Sequence, residues 1–358
     1  MKALFYPEWG KLDIQEIARP LLDDGEVLIR VSRCGICGSE LDTFRTRSPR
    51  RQPPLIMGHE FCGWVEATNN THSRWLEGEG VIAHALVHCG RCSPCRRGDT
   101  NLCVHRQVFG MQRPGAFAEF IAVPERVLIP WRNDLLPDTA VFSEPLANGI
   151  NAMRQGNSGR RSRVAVIGAG PIGLMCLFAA KKIYQSDVIV ADRIVERVDA
   201  ARLLGADLAV HVPGQSLAAA MHQHWNGAGA EYVIDAVGSS ETKKNSIDLA
   251  EPGGTIVWVG MHDDLIHFNS YGITLHQKTL AGTYSGSMSD LEKAVQLLST
   301  EHLDTSWATR FPLEQGRAAF QAMLRPTKGS IKAILHLNNG TTSPNGHGGL
   351  PCRTGLNL

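Results

Sequence analysis

The sequence predicts an α/β chain of two domains: a compact β-barrel-like unit, then a doubly wound parallel sheet. Three observations predict it. Residues 1 to about 148 carry short β patterns broken by many Gly and Pro; from about 163, strands alternate with helical patterns; and a Gly-x-Gly-x-x-Gly turn joins the first of those strands to a helix. The length, 358 residues, suits two domains of roughly 150 each and a large buried core.

In the first half the strand candidates are Glu26–Val31, Phe61–Glu66 and Ala116–Val123, rich in β-branched and aromatic residues. In the second half they are Arg163–Ile167, Asp187–Ala191, Leu208–His211, Tyr232–Asp235, Thr255–Gly260 and Thr279–Tyr284. Helical patterns such as Pro213–Trp225 separate most of them, and six strands with crossovers make a parallel sheet. Helices follow at Ser289–Thr300 and Leu313–Leu324, then a last strand, Ile331–Leu337. The final stretch, 339–358, is small, polar and glycine-rich, and is expected to be a loose tail without function.

Composition excludes several partners. Lys and Arg number 36 against 35 Asp and Glu, a net charge of +1, so no global basic field is available for nucleic acid or an anionic membrane. No apolar run approaches the roughly 20 residues that span a bilayer, and the N-terminus lacks a secretory apolar core. A cytoplasmic protein acting on a small molecule is expected.

Nine cysteines, an odd number without a signal segment, point to thiols and metal and not to a disulfide framework. Cys89, Cys92, Cys95 and Cys103 form C-x2-C-x2-C-x7-C. Two-residue gaps let successive thiolates turn onto one ion, and four complete a tetrahedral structural zinc shell. An iron–sulfur cluster is the alternative, since it also takes four cysteines. Arg91, Arg96 and Arg97 can offset the thiolate charge.

The strand Arg163–Ile167 runs into Gly168-Ala-Gly170-Pro171-Ile172-Gly173 and a helical segment. Gly168 allows the tight turn, Gly170 lets backbone approach a pyrophosphate, and Gly173 lets helix pack on strand, the Rossmann dinucleotide turn. The helix N-terminus offers free N–H groups to phosphate. Asp192 closes the next strand, where a carboxylate accepts from the adenosine ribose hydroxyls and repels a 2′-phosphate, favouring NAD. Arg193 beside it could bind such a phosphate or cover the adenine.

Three further segments complete the pattern: Cys34-Gly-Ile-Cys37-Gly-Ser39-Glu40, Gly58-His59-Glu60-Phe-Cys-Gly63 and Ser143-Glu144-Pro145-Leu146. Singly, each reads equally well as a buried thiol, a core histidine or a helix-start carboxylate. With the four-cysteine lobe, GAFAEF and GAGPIG, in this order, the chain resembles the zinc-dependent medium-chain dehydrogenase/reductase family from residue 1 to about 337. The resemblance implies a GroES-like catalytic domain at 1–148 with its zinc lobe at about 88–104. It implies a Rossmann domain at 149–286 and a return to the catalytic domain at 287–338. It places a catalytic zinc on Cys37, His59 and Glu144, the carboxylate of the polyol branch (sorbitol, galactitol-phosphate), with Glu60 beside the metal and able to exchange with a ligand. Glu40 would hold the His59 ring, and Cys34 would be a non-ligand. Two zinc ions per chain, NAD and a homo-oligomer, dimer or tetramer, are implied.

Three protein ligands leave one position for a substrate hydroxyl, whose pKa the ion lowers. Ser39 matches the family's proton-relay hydroxyl. The relay usually ends on a histidine three residues further on, where this chain has Asp42, so Asp42 is assigned no role. The expected substrate is a secondary alcohol of a polyol or sugar derivative, with threonine or another alcohol as the alternative. Arg45, Arg47, Arg50 and Arg51 could receive a phosphate on it or line a solvated loop. The competing class is a non-catalytic dinucleotide-binding redox sensor, which needs no open zinc.

Overall fold

The computed structural model describes residues 1–337 except 132–134, 157, 158, 160, 213 and 325–330. The segment 339–358, expected to be a loose tail, lies outside the described residues. The first half folds as two main sheets around one apolar core, with a small two-stranded sheet of Leu86–Val87 and Gln107–Val108 beside them. The larger has seven strands, running Leu128–Pro130, Gly80–Ala83, Glu60–Thr68, Glu26–Gly35, Lys332–His336 and Ala308–Pro312 in order, with Phe120–Pro124 also paired to Glu26–Gly35. The smaller joins Asp13–Glu16, Lys2–Tyr6 and Leu55–Ile56. Val27, Ile29, Val31, Phe61, Val65, Phe117, Phe320 and Leu335 fill the space between.

The central strand Glu26–Gly35 carries the architecture. Its β-branched Val27, Ile29 and Val31 point into the core, Leu28 and Ser32 between them are buried as well, and partners flank it on both sides. Antiparallel pairing sets Cys34 against Phe61 and Gly35 against Glu60, while Leu335 lies opposite Cys34 on the other side. This register carries the chain's last described strand back into the first sheet. It also gathers residues distant in sequence: a Cβ on Gly35 would run into the Glu60 carboxylate and the Lys332 side chain. Only glycine leaves room there for those two groups to meet.

The second half is a six-stranded parallel sheet in the order Leu208–His211, Asp187–Asp192, Arg163–Ile167, Ala230–Asp235, Ala250–Trp258, Thr279–Gly282. This is the 3-2-1-4-5-6 order of a Rossmann sheet, and its switch point lies at Arg163–Ile167. The helix Ser143–Arg154 links the halves. It packs against the helices Pro171–Tyr184 and Met288–Thr300, with Gly149 tight against the Met175 backbone.

Several boundaries differ from the sequence reading for identifiable reasons. The strand expected at Ala116–Val123 begins only at Phe120. The amides of Ala116 and Phe117 donate instead to Gly58 and Met57, so GAFA is a buried loop that clasps the His59 segment. The last part of Thr255–Gly260 leaves the sheet after Trp258, because the Val259 and Gly260 amides donate to the Asp235 carbonyl. The helix within 213–225 starts at Leu217, where the Ser216 hydroxyl accepts from the Ala219 amide. At Leu313–Leu324 a 3-10 turn, Leu313–Gln315, precedes the helix Gly316–Leu324.

Candidate active site and metal centres

In the cysteine lobe, the sulfurs of Cys89, Cys92, Cys95 and Cys103 all lie within 4.8 Å of one another. The left-handed turns at Gly90 and Gly98 and the short helix Ser93–Arg96 fold the four onto one point. The Cys95 amide pulls the Cys92 thiol down to about 6. Burial and the neighbouring sulfurs push Cys95 up to about 12. Four crowded sulfurs that cannot all ionise are a donor set that a dication satisfies, and the residues present fit structural zinc.

The second cluster forms where the helix Gly38–Thr46 begins. Cys37 is its N-cap, and Glu40 closes the turn by accepting from the Cys37 amide at 2.9 Å. Glu40 is fully buried, and its other oxygen accepts from the Gly58 amide at 2.8 Å and faces His59 Nδ1 at 2.9 Å. The expected hold on the His59 ring is therefore present. With the proton on Nδ1, Nε2 is left as a donor atom for metal. The donor atoms of Cys37, His59 and Glu60 lie within 4.8 Å of one another. Burial disfavours a charge on His59, but Glu40 and the Cys37 sulfur outweigh it and hold its pKa well above the ordinary imidazole value. The pocket already favours a cation, which fits a metal. Cys34 is buried, and burial pushes its thiol far above the usual range, as suits a non-ligand.

Glu144, the third expected ligand, lies outside that close trio among the described residues. It is buried on the first turn of the helix Ser143–Arg154, and Asn148 Nδ2 donates to both its oxygens at 3.2 Å. Burial, then repulsion from Glu60, raises its carboxyl to about 7. His59 and Lys332 act on it in the opposite sense, so it senses the same pocket. Glu60 forms an ion pair with Lys332, each side chain only 2% exposed.

Sequence reasoning missed Lys332. Its signal was a lysine inside the otherwise apolar run Ile331–Leu335. It also missed Arg51, read as part of an arginine loop; Arg51 is 1% exposed and donates to the Ser39 hydroxyl at 3.0 Å. No feature of the local sequence set it apart from Arg45, Arg47 and Arg50, which are exposed. The Ser39 hydroxyl donates to Cys37 Sγ at 3.3 Å. Asp42 pairs with Arg45 at the surface.

At the glycine turn, Gly168 has φ +96°, and a Cβ on Gly173 would collide with the Gly168 carbonyl. Gly170 caps the helix Pro171–Tyr184, whose N-terminus has no side-chain cap and so leaves N–H groups free for phosphate. Pro171 and Ile172 form its first turn. A Cβ on Gly170 would meet nothing nearer than Arg197 Nη1 at 3.9 Å, leaving that face open to a ligand. Asp192 accepts from the Ala169 amide at 2.8 Å and the Ile194 amide at 2.9 Å, tying the turn to the second strand. Arg193 is exposed, and Arg197, not singled out from the sequence, is the cation beside Asp192, at 3.6 Å.

Comparison with known proteins agrees with this architecture. Residues 23–134 match the alcohol dehydrogenase GroES-like domain, and residues 171–300 match the zinc-binding dehydrogenase family. The starvation-sensing protein RspB of Escherichia coli K12 is 32% identical over 275 residues, 76% of this chain and 80% of its own. A crystal structure of rspB from E. coli CFT073 with NADH superposes with TM-score 0.86 at 28% identity, covering 94% of this chain and 99% of that one. The L-threonine 3-dehydrogenase of Saccharopolyspora erythraea is 29% identical, covering 87% of this chain and 92% of its own. The D-arabitol-phosphate dehydrogenase of Enterococcus avium is 28% identical, covering 93% and 96%.

Proposed function

The chain belongs to the zinc-dependent medium-chain dehydrogenases/reductases, and from that membership we propose that it moves hydride between a secondary alcohol of a polyol or sugar derivative and NAD. The observation that carries the reading is the Cys37–His59–Glu60 donor set, with His59 oriented by Glu40 and with the charges of Glu60 and His59 felt at the buried Glu144. When bound, the metal supplies a Lewis acid for a substrate hydroxyl and the dinucleotide supplies the hydride acceptor.

The protein's own groups do the rest. Cys37, His59 and Glu144 hold the catalytic ion in this reading, with Glu60 kept in reserve by Lys332. Cys89, Cys92, Cys95 and Cys103 hold the structural one. The hydroxyl of Ser39, beside Cys37, is placed to take the proton that a substrate hydroxyl must lose. Gly168, Gly170 and Gly173 with the N-terminus of Pro171–Tyr184 receive the pyrophosphate, and Asp192 and Arg197 frame the ribose. A carboxylate at position 144 and the arabitol-phosphate relative favour a polyol or sugar derivative, and the threonine relative keeps an amino-alcohol as the alternative.

The same reading makes the chain a cytoplasmic homo-oligomer. Met261, Leu265, Tyr271 and Leu275 are exposed on the segment leading into the sheet's edge strand Thr279–Gly282, a surface suited to a second copy. Among the described residues no helix is long and apolar enough to cross a membrane. The test is a panel of polyols, sugar phosphates and amino-alcohols with NAD and NADP, following reduced cofactor, alongside zinc content. About two zinc ions per chain with polyol turnover is the expected result. NAD binding without turnover of any alcohol would favour the sensor class, which the name of the RspB relative brings into view.

A further inference from the structure

Among the described residues Arg51 is the largest with under 2% exposure, yet it sits next to the exposed Arg50. Burying a guanidinium is costly unless its donors are met. Here Nε donates to the Gly110 carbonyl at 3.0 Å. Nη1 donates to the Ser39 carbonyl at 2.9 Å and the Thr43 hydroxyl at 3.3 Å, and Nη2 to the Ser39 hydroxyl at 3.0 Å. All four acceptors are uncharged oxygens, and two belong to Ser39. A clamp on the loop alone would not need the second Ser39 contact, because the Ser39 carbonyl and the Thr43 hydroxyl already tie the loop to the helix Gly38–Thr46, and the Gly110 carbonyl ties it to a second loop.

Arginine can only donate. The Ser39 oxygen must therefore accept from Nη2, and its hydrogen is free to point elsewhere, in this structure to Cys37 Sγ at 3.3 Å. One lone pair remains, beside a ligand sulfur. We propose that Arg51 is a positioning residue that fixes the Ser39 hydroxyl for proton transfer, leaving one acceptor site open toward the substrate hydroxyl. The proposal rests on the dehydrogenase reading above. In alcohol oxidation the substrate O–H bond breaks as Ser39 Oγ takes up its proton, and the Ser39 O–H proton leaves in turn for solvent, so the hydroxyl is regenerated; a bound dinucleotide would supply the ribose hydroxyl through which that proton passes to water. Arg51 keeps its own protons throughout. A relay that lacks the terminal histidine, with Asp42 occupied by Arg45, thereby still begins from a directed hydroxyl.

The test is a double-mutant cycle of Arg51→Met and Ser39→Ala, with Arg51→Lys as the conservative variant. Arg51→Met is expected to lower kcat by about tenfold to a hundredfold, a fraction of the roughly 10²–10⁴-fold of a whole acid–base contribution because Ser39 itself remains, with KM, NAD affinity and zinc content near wild type. Arg51→Lys should recover part of the loss, and Arg51→Met should add nothing in the Ser39→Ala background. An undiminished loss in that background would show that Arg51 acts only on structure and would overturn the proposal. A crystal structure of Arg51→Met decides independently of turnover, or of Arg51→Lys if the methionine variant does not fold. The Ser39 hydroxyl should leave its present rotamer or populate several, and an unchanged, singly ordered rotamer refutes the assignment. Absence of turnover in the wild type would count against the dehydrogenase reading instead, with the crystallographic arm still deciding the role of Arg51.

Discussion

Replacing Lys332 with methionine removes the cation from a pair that water does not reach. Lys332 and Glu60 are each 2% exposed, and they meet above Gly35, where no Cβ intrudes. Methionine nearly preserves the length of the side chain, so the loss is electrostatic and not a cavity. A buried carboxylate left without its partner is destabilising by about 3–5 kcal/mol. At about 2–4 °C per kcal/mol for a domain of this class, the melting temperature of the zinc-free protein should fall by about 6–20 °C. The donor atom of Glu60 lies within 4.8 Å of those of Cys37 and His59, so a bound dication can take over from the lysine. The zinc-loaded variant should therefore lose less than the zinc-free one. Glu60→Gln combined with Lys332→Met should recover most of the loss, because no unpaired charge remains. Calorimetry of the four proteins with and without zinc measures this. Equal losses in both metal states, or a double variant no more stable than Lys332→Met, would refute the argument.

Three further outcomes are expected. In the zinc-free protein the Glu144 carboxyl titrates near 7 against an ordinary 4.5, so its contribution is fully present below about pH 4.5 and is lost as pH rises through 7. It amounts to about 3 kcal/mol at about 1.4 kcal/mol per unit, and Glu144→Gln should flatten that part of the denaturant-midpoint profile between about pH 5 and pH 8. Chelation should remove the metal of the Cys37 site before that of the lobe, since four thiolates enclose the latter, and Cys92→Ala should lower both melting temperature and solubility; an unchanged melt would count against structural zinc. Asp192→Ser removes a carboxylate that would repel a 2′-phosphate and frees Arg197, so steady-state kinetics should show the NAD-to-NADP preference shifting toward NADP by about two orders of magnitude. A wild type already preferring NADP would show that Arg197 dominates Asp192.

Much of the fold is legible because its signals are local. The six parallel strands announce themselves as short β-branched runs between helical periods, and Arg163–Ile167 and Leu208–His211 come out with their observed ends. Gly168, Gly170 and Gly173 are readable because a tight turn against a helix N-terminus excludes side chains at those positions. The four-cysteine lobe is readable because its ligands lie within one short segment whose gaps alone bring the sulfurs together.

The ends of Ala116–Val123 and Thr255–Gly260 were not legible, since their amides bond to Met57, Gly58 and Asp235, residues far off in sequence. The inner arrangement of the catalytic cluster belongs to the same kind. Motifs nominate Cys37, His59, Glu60 and Glu144, but composition and spacing are silent on how close each carboxylate comes. The antiparallel register of Glu60–Thr68 and Lys332–His336 on either side of Glu26–Gly35 decides that Glu60 meets a buried lysine from the far end of the chain. The path of the loop after Gly38–Thr46 decides that, of four neighbouring arginines, only Arg51 turns inward to hold Ser39. A sequence specifies turns, periods and short ligand spacings by itself, because these depend on neighbours along the chain. Which charge faces which inside the core depends on contacts between strands hundreds of residues apart, and only the folded sheet brings those together.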